Sequence, residues 1–248
     1  MNVLLTNDDG FDSDGIISLK NALSSLHEVY IMAPSANRSA VSHSISMHSG
    51  FRVKKIAEKI YSCQGSPADC VFTALETEIF PVKFDCVISG INHGPNLGTD
   101  IIYSGTCAAS REGSFLGCPS IAVSLDFVSG KIEFFEPMAL FIRNNLSSLV
   151  SLCKNSSVSS FVNVNALSLN SYKGVVFTDI LSRRKYSDSV SVIKDGHDFI
   201  VSERDGFLIE KNEKMSDETI VRDGFISVSL ISCEPSALKS VEPIVFSV

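Results

Sequence analysis

The sequence predicts an α/β fold: a mostly parallel β-sheet with helices packed on both faces, three layers in all. Three observations carry this. Strand-length apolar runs such as "VLLT", "FDCVISG" and "PSIAVSL" show no polar alternation, as expected of strands buried on both faces. Between them, apolar residues recur at spacings of three and four, the mark of amphipathic helices. The chain has 248 residues, 44% hydrophobic and 20% charged, enough to bury a large core in an ordinary globular protein.

Taken in order, Val3–Thr6 reads as the first strand. Asp14 reads as the N-cap of a helix carrying Ile16, Leu19, Leu23 and Leu26 on one face. Val29–Ala33 is the second strand, closed by Pro34. Ser66-Pro67-Ala68-Asp69 has the form of a capping box with proline at the first helical position, and Ala68, Val71, Leu75 and Ile79 supply the stripe behind it. Residues 84–90 form a buried strand, a short helix follows Gly105, and residues 119–125 form another buried strand. Pro137 opens a longer helix marked by Met138, Ile142, Leu146, Leu149 and Cys153. Strand character returns at 161–165 and 174–178. From about residue 180 charges thicken and short alternating stretches (Phe199–Val201, Phe207–Ile209) read as hairpin arms; Phe225–Leu230 is a last strand, and apolar character returns near Pro243. With no repeat and no low-complexity linker, the chain reads as one Rossmann-like domain over 1–248, with 180–225 as C-terminal β-hairpin arms.

The bulk properties exclude several functions. A net charge of -7 and a pI near 5.2 argue against a nucleic-acid polymer as partner, though not against a small anion held by a cation or by backbone N–H groups. Seven cysteines, an odd number with no Cys-x-x-Cys pair, give neither a zinc knuckle nor a redox pair and point to a reducing compartment. No run reaches transmembrane length and no secretion signal opens the chain, so a cytoplasmic protein without a membrane partner is expected.

In open α/β sheets ligands gather beyond the carboxyl ends of the strands. There the first strand delivers "NDDG", the second "APSANRSAVSHS", and the 84–90 strand "INHGPNLGTDIIYSGT". Alone, "NDDG" reads first as an Asx turn. Its alternative is a metal site, because Asp8 and Asp9 are hard oxygen donors and a divalent cation would remove their mutual repulsion. Ser39 and Asn92 could add neutral oxygens, and the absence of His or Cys from the aspartate loop favours Mg²⁺, Mn²⁺ or Ca²⁺ over zinc or copper. An EF-hand fails on spacing, since Gly15 at the loop glycine would put Gly10 at the first ligand position and Asn21 at the bidentate one. Ser104-Gly105-Thr106 opens a helix, where free N–H groups and a partial positive charge bind phosphate, although a plain N-cap needs nothing more. The glycines at 90, 94 and 98 match neither a Walker loop nor the dinucleotide fingerprint. Arg38 and Arg111 could reach a phosphate, His43, His48 and His93 receive no role, and Ser39 lacks the Gly-x-Ser-x-Gly setting of an esterase.

Together these segments resemble the SurE (survival protein E) family of metal-dependent nucleotidases. "NVLLTNDDG", "APSANRSAVSHSIS", "SPADCV", "DCVISGINHGPNLGTDIIYSGTCAASREG" and "PSIAVS" follow in order at matched spacing over the first half of the chain. The resemblance implies a phosphatase that releases phosphate from nucleoside monophosphates, with 3′-nucleotides and short polyphosphate as further substrates. It implies one divalent ion per subunit, Mg²⁺ or Mn²⁺, on Asp8, Asp9, Ser39 and Asn92, with Asp8 and Asp9 also catalytic. It implies phosphate binding by Asn96, Ser104, Gly105 and Thr106, and a homo-oligomer, dimer or tetramer, built through the arms. The chain departs from the family pattern at Ala40 after Ser39, at "FVNVNAL" without its proline, at "GFISVSLIS", and over 180–225. Two rivals remain: a nucleotide- or phosphate-binding module without turnover, and an assembly protein whose arms matter more than its cleft.

Overall fold

The computed structural model describes residues 1–48, 50–127, 133–209 and 214–235; the apolar tail near Pro243 lies outside them. In chain order the elements are β1 (Asn2–Thr6), α1 (Asp14–Leu23), β2 (Glu28–Pro34), β3 (Val53–Ala57), β4 (Ile60–Cys63), α2 (Pro67–Glu76) and β5 (Cys86–His93). A 3-10 turn (Gly98–Ile102) leads into α3 (Gly105–Phe115), followed by β6 (Ser120–Asp126), α4 (Glu136–Lys154), β7 (Ser160–Leu167) and β8 (Val175–Phe177). The chain continues through β9 (Lys185–Asp195), β10 (Asp198–Ile209), α5 (Asp217–Arg222) and β11 (Ile226–Ser232).

One sheet runs in the order β3-β4-β2-β1-β5-β6-β7-β11-β8. The pairs from β4 through β7 are all parallel, whereas β3 on β4 and β11 on β7 are antiparallel. The chain leaves β1 toward β2 and later returns on the other side as β5. That reversal is a topological switch point, and it opens a crevice at the carboxyl ends of β1 and β5.

The three layers follow from strand alternation. Val3 and Leu5 pack with Ile16, Leu19 and Leu23 of α1 and with Met138, Ile142 and Leu146 of α4. Leu4 points the other way, into a cluster with Val71 and Ala74 of α2 and Ala109 of α3. Both faces of β1 are therefore dry, which is why its sequence carries no polar alternation. Each such Leu or Ile side chain contributes roughly 1.5–3 kcal/mol by leaving water.

Several expectations need correction. The residue capping α1 is Ser13, not Asp14, and its hydroxyl accepts from Asn7 rather than from the helix. The helix stops at Leu23, which leaves Leu26 65% exposed. In α2 the capping box is formed as expected, but the helix ends at Glu76, short of Ile79, and its buried stripe runs through Cys70, Val71 and Ala74. Three elements were not anticipated. Lysines dilute the apolar signal of β3, an edge strand exposed along nearly its whole length; β4 is only four residues long; and α5, at six, is too short to show a helical period.

The expected arms exist as one long antiparallel hairpin, β9 on β10, closed by a Gly196-His197 turn and separate from the main sheet. Its apolar residues Val190, Val192, Ile193, Phe199, Ile200 and Val201 are all more than half exposed.

Gly15 sits where α1 crosses β5; a Cβ there would lie 2.0 Å from the Ile91 carbonyl oxygen. Helix propensity alone favours Ala over Gly by about 1 kcal/mol. The clash reverses that sign. Gly15→Ala is expected to lower the urea midpoint at unchanged m-value, and a rise in the midpoint would contradict the packing described.

Candidate functional site

The loop after β1 solves its turn with Asn7, not with the aspartates. The fully buried Asn7 donates from Nδ2 to Gly10 O (2.8 Å) and Ser13 Oγ (2.8 Å), and its Oδ1 accepts from Gly10 N–H (3.1 Å). Gly10 adopts φ +126°, a conformation open to glycine. With the turn closed by Asn7, Asp8 and Asp9 are free to project into the crevice.

Asp8 is 3% exposed and faces the first turn of α3. Its Oδ1 accepts from Thr106 Oγ1 (2.5 Å) and its Oδ2 from Thr106 N–H (3.1 Å). A carboxylate at a helix N-terminus also gains from the helix dipole. Gly105 makes the approach possible, because a Cβ there would stand 2.9 Å from the Asp8 carboxylate. Burial still dominates: it pushes the Asp8 carboxyl up to about 6 against the lowering effect of Thr106, and neighbouring Asp9 raises it further. Asp9 is half-buried, and its Oδ2 accepts from His93 N–H (3.2 Å) at the end of β5. Burial raises its pKa as well, opposed by that hydrogen bond.

The other expected residues converge to different degrees. Arg38 donates its backbone N–H to Asp8 O (2.6 Å), which brings the loop after β2 against the aspartates. Ser39 follows it, exposed, with its N–H on Asn37 Oδ1 (2.9 Å). Asn92 precedes the residue that holds Asp9; its Nδ2 is committed to Gly94 O (2.8 Å), leaving Oδ1 as the atom that can ligate. Ser104 caps α3 by accepting from Cys107 N–H (3.0 Å). Thr106, expected on phosphate, spends both donors on Asp8.

Asn96 belongs to a buried amide network. Its N–H donates to Asn165 Oδ1 (2.8 Å) and its Nδ2 to Ser124 Oγ (2.7 Å), while its carbonyl accepts from Asn163 Nδ2 (2.9 Å) and Asn165 Nδ2 (3.1 Å). Asn7, Ser124, Asn163 and Asn165 went unassigned in the sequence. The signal for the last two was present: asparagines at i and i+2 in an apolar strand share one face and need partners.

The residues fit a hard divalent cation. Two adjacent carboxylates carry raised pKa values, and no ion pair among the described residues reaches either of them. No cluster of three His, Cys, Asp or Glu able to hold a metal occurs among the described residues. Further ligands must then be neutral oxygens such as Asn92 Oδ1, Ser39 Oγ and water, a set that suits Mg²⁺ or Mn²⁺.

Fold and site define a doubly wound α/β protein with an oxygen-donor acidic centre at its topological switch point. The model of the family described as "Survival protein SurE" matches residues 3–187, and the chain belongs to this SurE family. It is 38% identical to the 5′-nucleotidase SurE of Petrotoga mobilis, over 94% of this chain and 93% of that one. It is 36% identical to the 5′-nucleotidase SurE of Alkaliphilus metalliredigens, over 97% and 96%. The crystal structure of the SurE protein from Aquifex aeolicus superposes with a TM-score of 0.81 at 32% identity, covering 95% of each chain.

The Asp8 shift has a definite sign. The folded carboxyl keeps its proton up to about pH 6, whereas an unfolded one loses it near 3.8, so ionisation destabilises the metal-free fold as pH rises between those values. The shift corresponds to about 3 kcal/mol. In EDTA, urea denaturation from pH 4 to 7 is expected to show this loss against Asp8→Asn, which lacks it; parallel curves would contradict the assignment.

Proposed function

We propose that the chain is a metal-dependent phosphatase that hydrolyses nucleoside monophosphates to nucleoside and phosphate, with one Mg²⁺ or Mn²⁺ per subunit. The observation that carries this reading is the Asp8–Asp9 pair, aimed from β1 into the switch-point crevice with α3 pointing its N-terminus at it. Asp8, Asp9, Ser39 and Asn92 would hold the cation. When bound, it polarises a phosphoryl oxygen and offsets the charge that develops in the transition state.

The protein's own groups supply the rest. Thr106 fixes the Asp8 carboxylate through both oxygens, so Asp8 is the rigid member of the pair. Among the described residues Asp9 accepts from one backbone N–H and it is the more exposed of the two, which supports reading it as the carboxylate that takes a proton from the attacking water. The open end of α3, with Gly105 N–H and the Ser104 hydroxyl, offers donors to non-bridging oxygens, and Asn96 stands on the facing loop with one amide hydrogen uncommitted. The names of the relatives point to the 5′-phosphate; 3′-nucleotides and short polyphosphate are further substrates to test.

The chain acts as a homo-oligomer, dimer or tetramer, in this reading, since the exposed apolar residues of the β9–β10 hairpin ask for cover. No helix among the described residues is long and apolar enough to cross a membrane. Seven free cysteines suit the reducing cytoplasm, where we place it.

Phosphate release from a panel of nucleoside monophosphates, with Mn²⁺, with Mg²⁺ and with EDTA, tests the reading. Release is expected only with metal and is expected to fall by about 100-fold or more in Asp9→Asn, the scale of general-base loss. Asp9→Asn with full metal-dependent turnover would sink the role of Asp9. No release from the folded wild type under any metal would leave a nucleotide-binding module instead. Sedimentation of the full chain is expected to give a dimer or tetramer, and a monomer at micromolar concentration would remove the arms from assembly.

A further inference from the structure

A hollow of about 190 Å³ opens between the loop after β2 and the turn that leads into α2. Arg38, Val41 and Ile45 line it from the first segment, and Gln64, Gly65 and Ser66 from the second. Both segments begin next to Asp8. The Arg38 N–H is bonded to Asp8 O, and Pro67, the residue after Ser66, comes within 3.1 Å of a Cβ placed on Gly105, the same position that touches the Asp8 carboxylate. A larger hollow of about 400 Å³ between α1 and α4 is lined by helix residues such as Ser18, Asn21 and Arg143, and none of the loops that meet at Asp8 enters it.

The wall is held in place by a buried carboxylate. Asp69 is 6% exposed and takes three donors from two segments: Ser46 N–H on Oδ1 (2.9 Å), and Ser46 Oγ (2.8 Å) and Ser66 N–H (2.8 Å) on Oδ2. The Ser66 hydroxyl bridges back to Ser44 O (2.6 Å). The α2 capping box thus doubles as a latch that fixes the loop. Ser42 Oγ on Ile102 O (2.8 Å) and the His43–Glu112 pair (2.8 Å) bolt the same loop to the 3-10 turn and to α3.

We propose that this hollow is the subsite for the nucleoside part of the substrate, adjoining the phosphate held over Asp8 and Asp9. This rests on the reading of the chain as a nucleoside monophosphatase. Size supports it: pockets for whole drug-sized ligands run to roughly 300–1,000 Å³, so about 190 Å³ takes one ring system and leaves the phosphate outside. Chemistry supports it too. Val41 and the 54% exposed Ile45 offer an apolar surface, and the Gln64 amide can both donate and accept at a base or sugar edge. The Arg38 guanidinium, tethered to Gln64 O (3.0 Å), presents a flat face on which a base can stack.

Val41→Trp, which fills the hollow, and Gln64→Ala, an exposed position that removes the amide, test this on the full-length protein. The probes are adenosine 5′-monophosphate as substrate, with adenosine and inorganic phosphate as separate inhibitors. Val41→Trp is expected to raise KM for the nucleotide and Ki for adenosine by about tenfold, and Gln64→Ala by about threefold, while Ki for phosphate stays within about twofold. Inhibition constants for adenosine and phosphate that rise together, or neither moving in Gln64→Ala, would overturn the subsite. If the wild type releases no phosphate, the functional reading has failed; calorimetric titration of adenosine into wild type and Gln64→Ala then decides the subsite independently.

Discussion

The contact between Asp8 and Thr106 is the constraint on which the rest of the site depends. A carboxylate removed almost entirely from water needs compensation for lost solvation. Here it comes from one residue's hydroxyl and N–H and from the positive end of α3. That geometry demands glycine at 105, a helix beginning there, and β1 ending level with it. It also fixes Asp9, the next residue in the chain, against His93 at the end of β5. A single buried charge thus sets the relative height of β1, β5 and α3, the three elements that bound the crevice. The compensation is incomplete, as the raised carboxyl shows.

The amide network around Asn96 answers a different problem, how to hold a long loop without burying unpaired polar groups. The loop leaves β5 with glycines that let the backbone turn sharply, Gly94 at φ +134° and Gly98 at +53°. Such a segment has no helix or strand ladder to satisfy its own N–H and C=O groups. Asn163 and Asn165 of β7 do so instead, gripping the Asn96 backbone from below, while Ser124 of β6 takes its side chain. Two interior strands of the sheet, β6 and β7, thereby set the position of a residue on the rim. In the sequence these asparagines look like faults in an apolar strand; in three dimensions they carry the loop.

Much of this is legible in the amino-acid sequence. Buried strands, the α2 capping box and the long α4 stripe announce themselves because their periodicity is strong and their packing two-sided. The paired aspartates stand out because adjacent charges on a strand end are costly without a purpose. The division of labour within "NDDG" was not legible: Asn7 makes the turn and the aspartates do not, a choice decided by which side chain meets Ser13 and which meets Thr106. Nor were β3, β4 and α5: β3 is a lysine-bearing edge strand folded back on β4, the four residues of β4 are anchored by parallel pairing to β2, and the six of α5 pack against β11 and β7, so none shows a period long enough to read.

The hairpin arm is joined to the site by a second buried carboxylate. Asp217, 1% exposed at the start of α5, accepts from Gly98 N–H (2.7 Å) on Oδ2 and from Ser182 N–H (2.8 Å) on Oδ1. Close by, Arg184 pairs with Asp100 (2.6 Å), and its carbonyl oxygen accepts from the Thr99 hydroxyl (2.8 Å). Gly98 leaves no room for slack, since a Cβ there would fall 1.9 Å from Ser182 O. The root of the arm and the end of the Asn96 loop therefore form one rigid joint, although they are more than 80 residues apart in sequence. An interaction that displaces the arm at its root must move Gly98 or break the Asp217 bridge, and Gly98 lies two residues from Asn96. Through this joint the hairpin, with its exposed apolar residues, is tied to the loop that carries Asn96 beside the crevice that holds the aspartates.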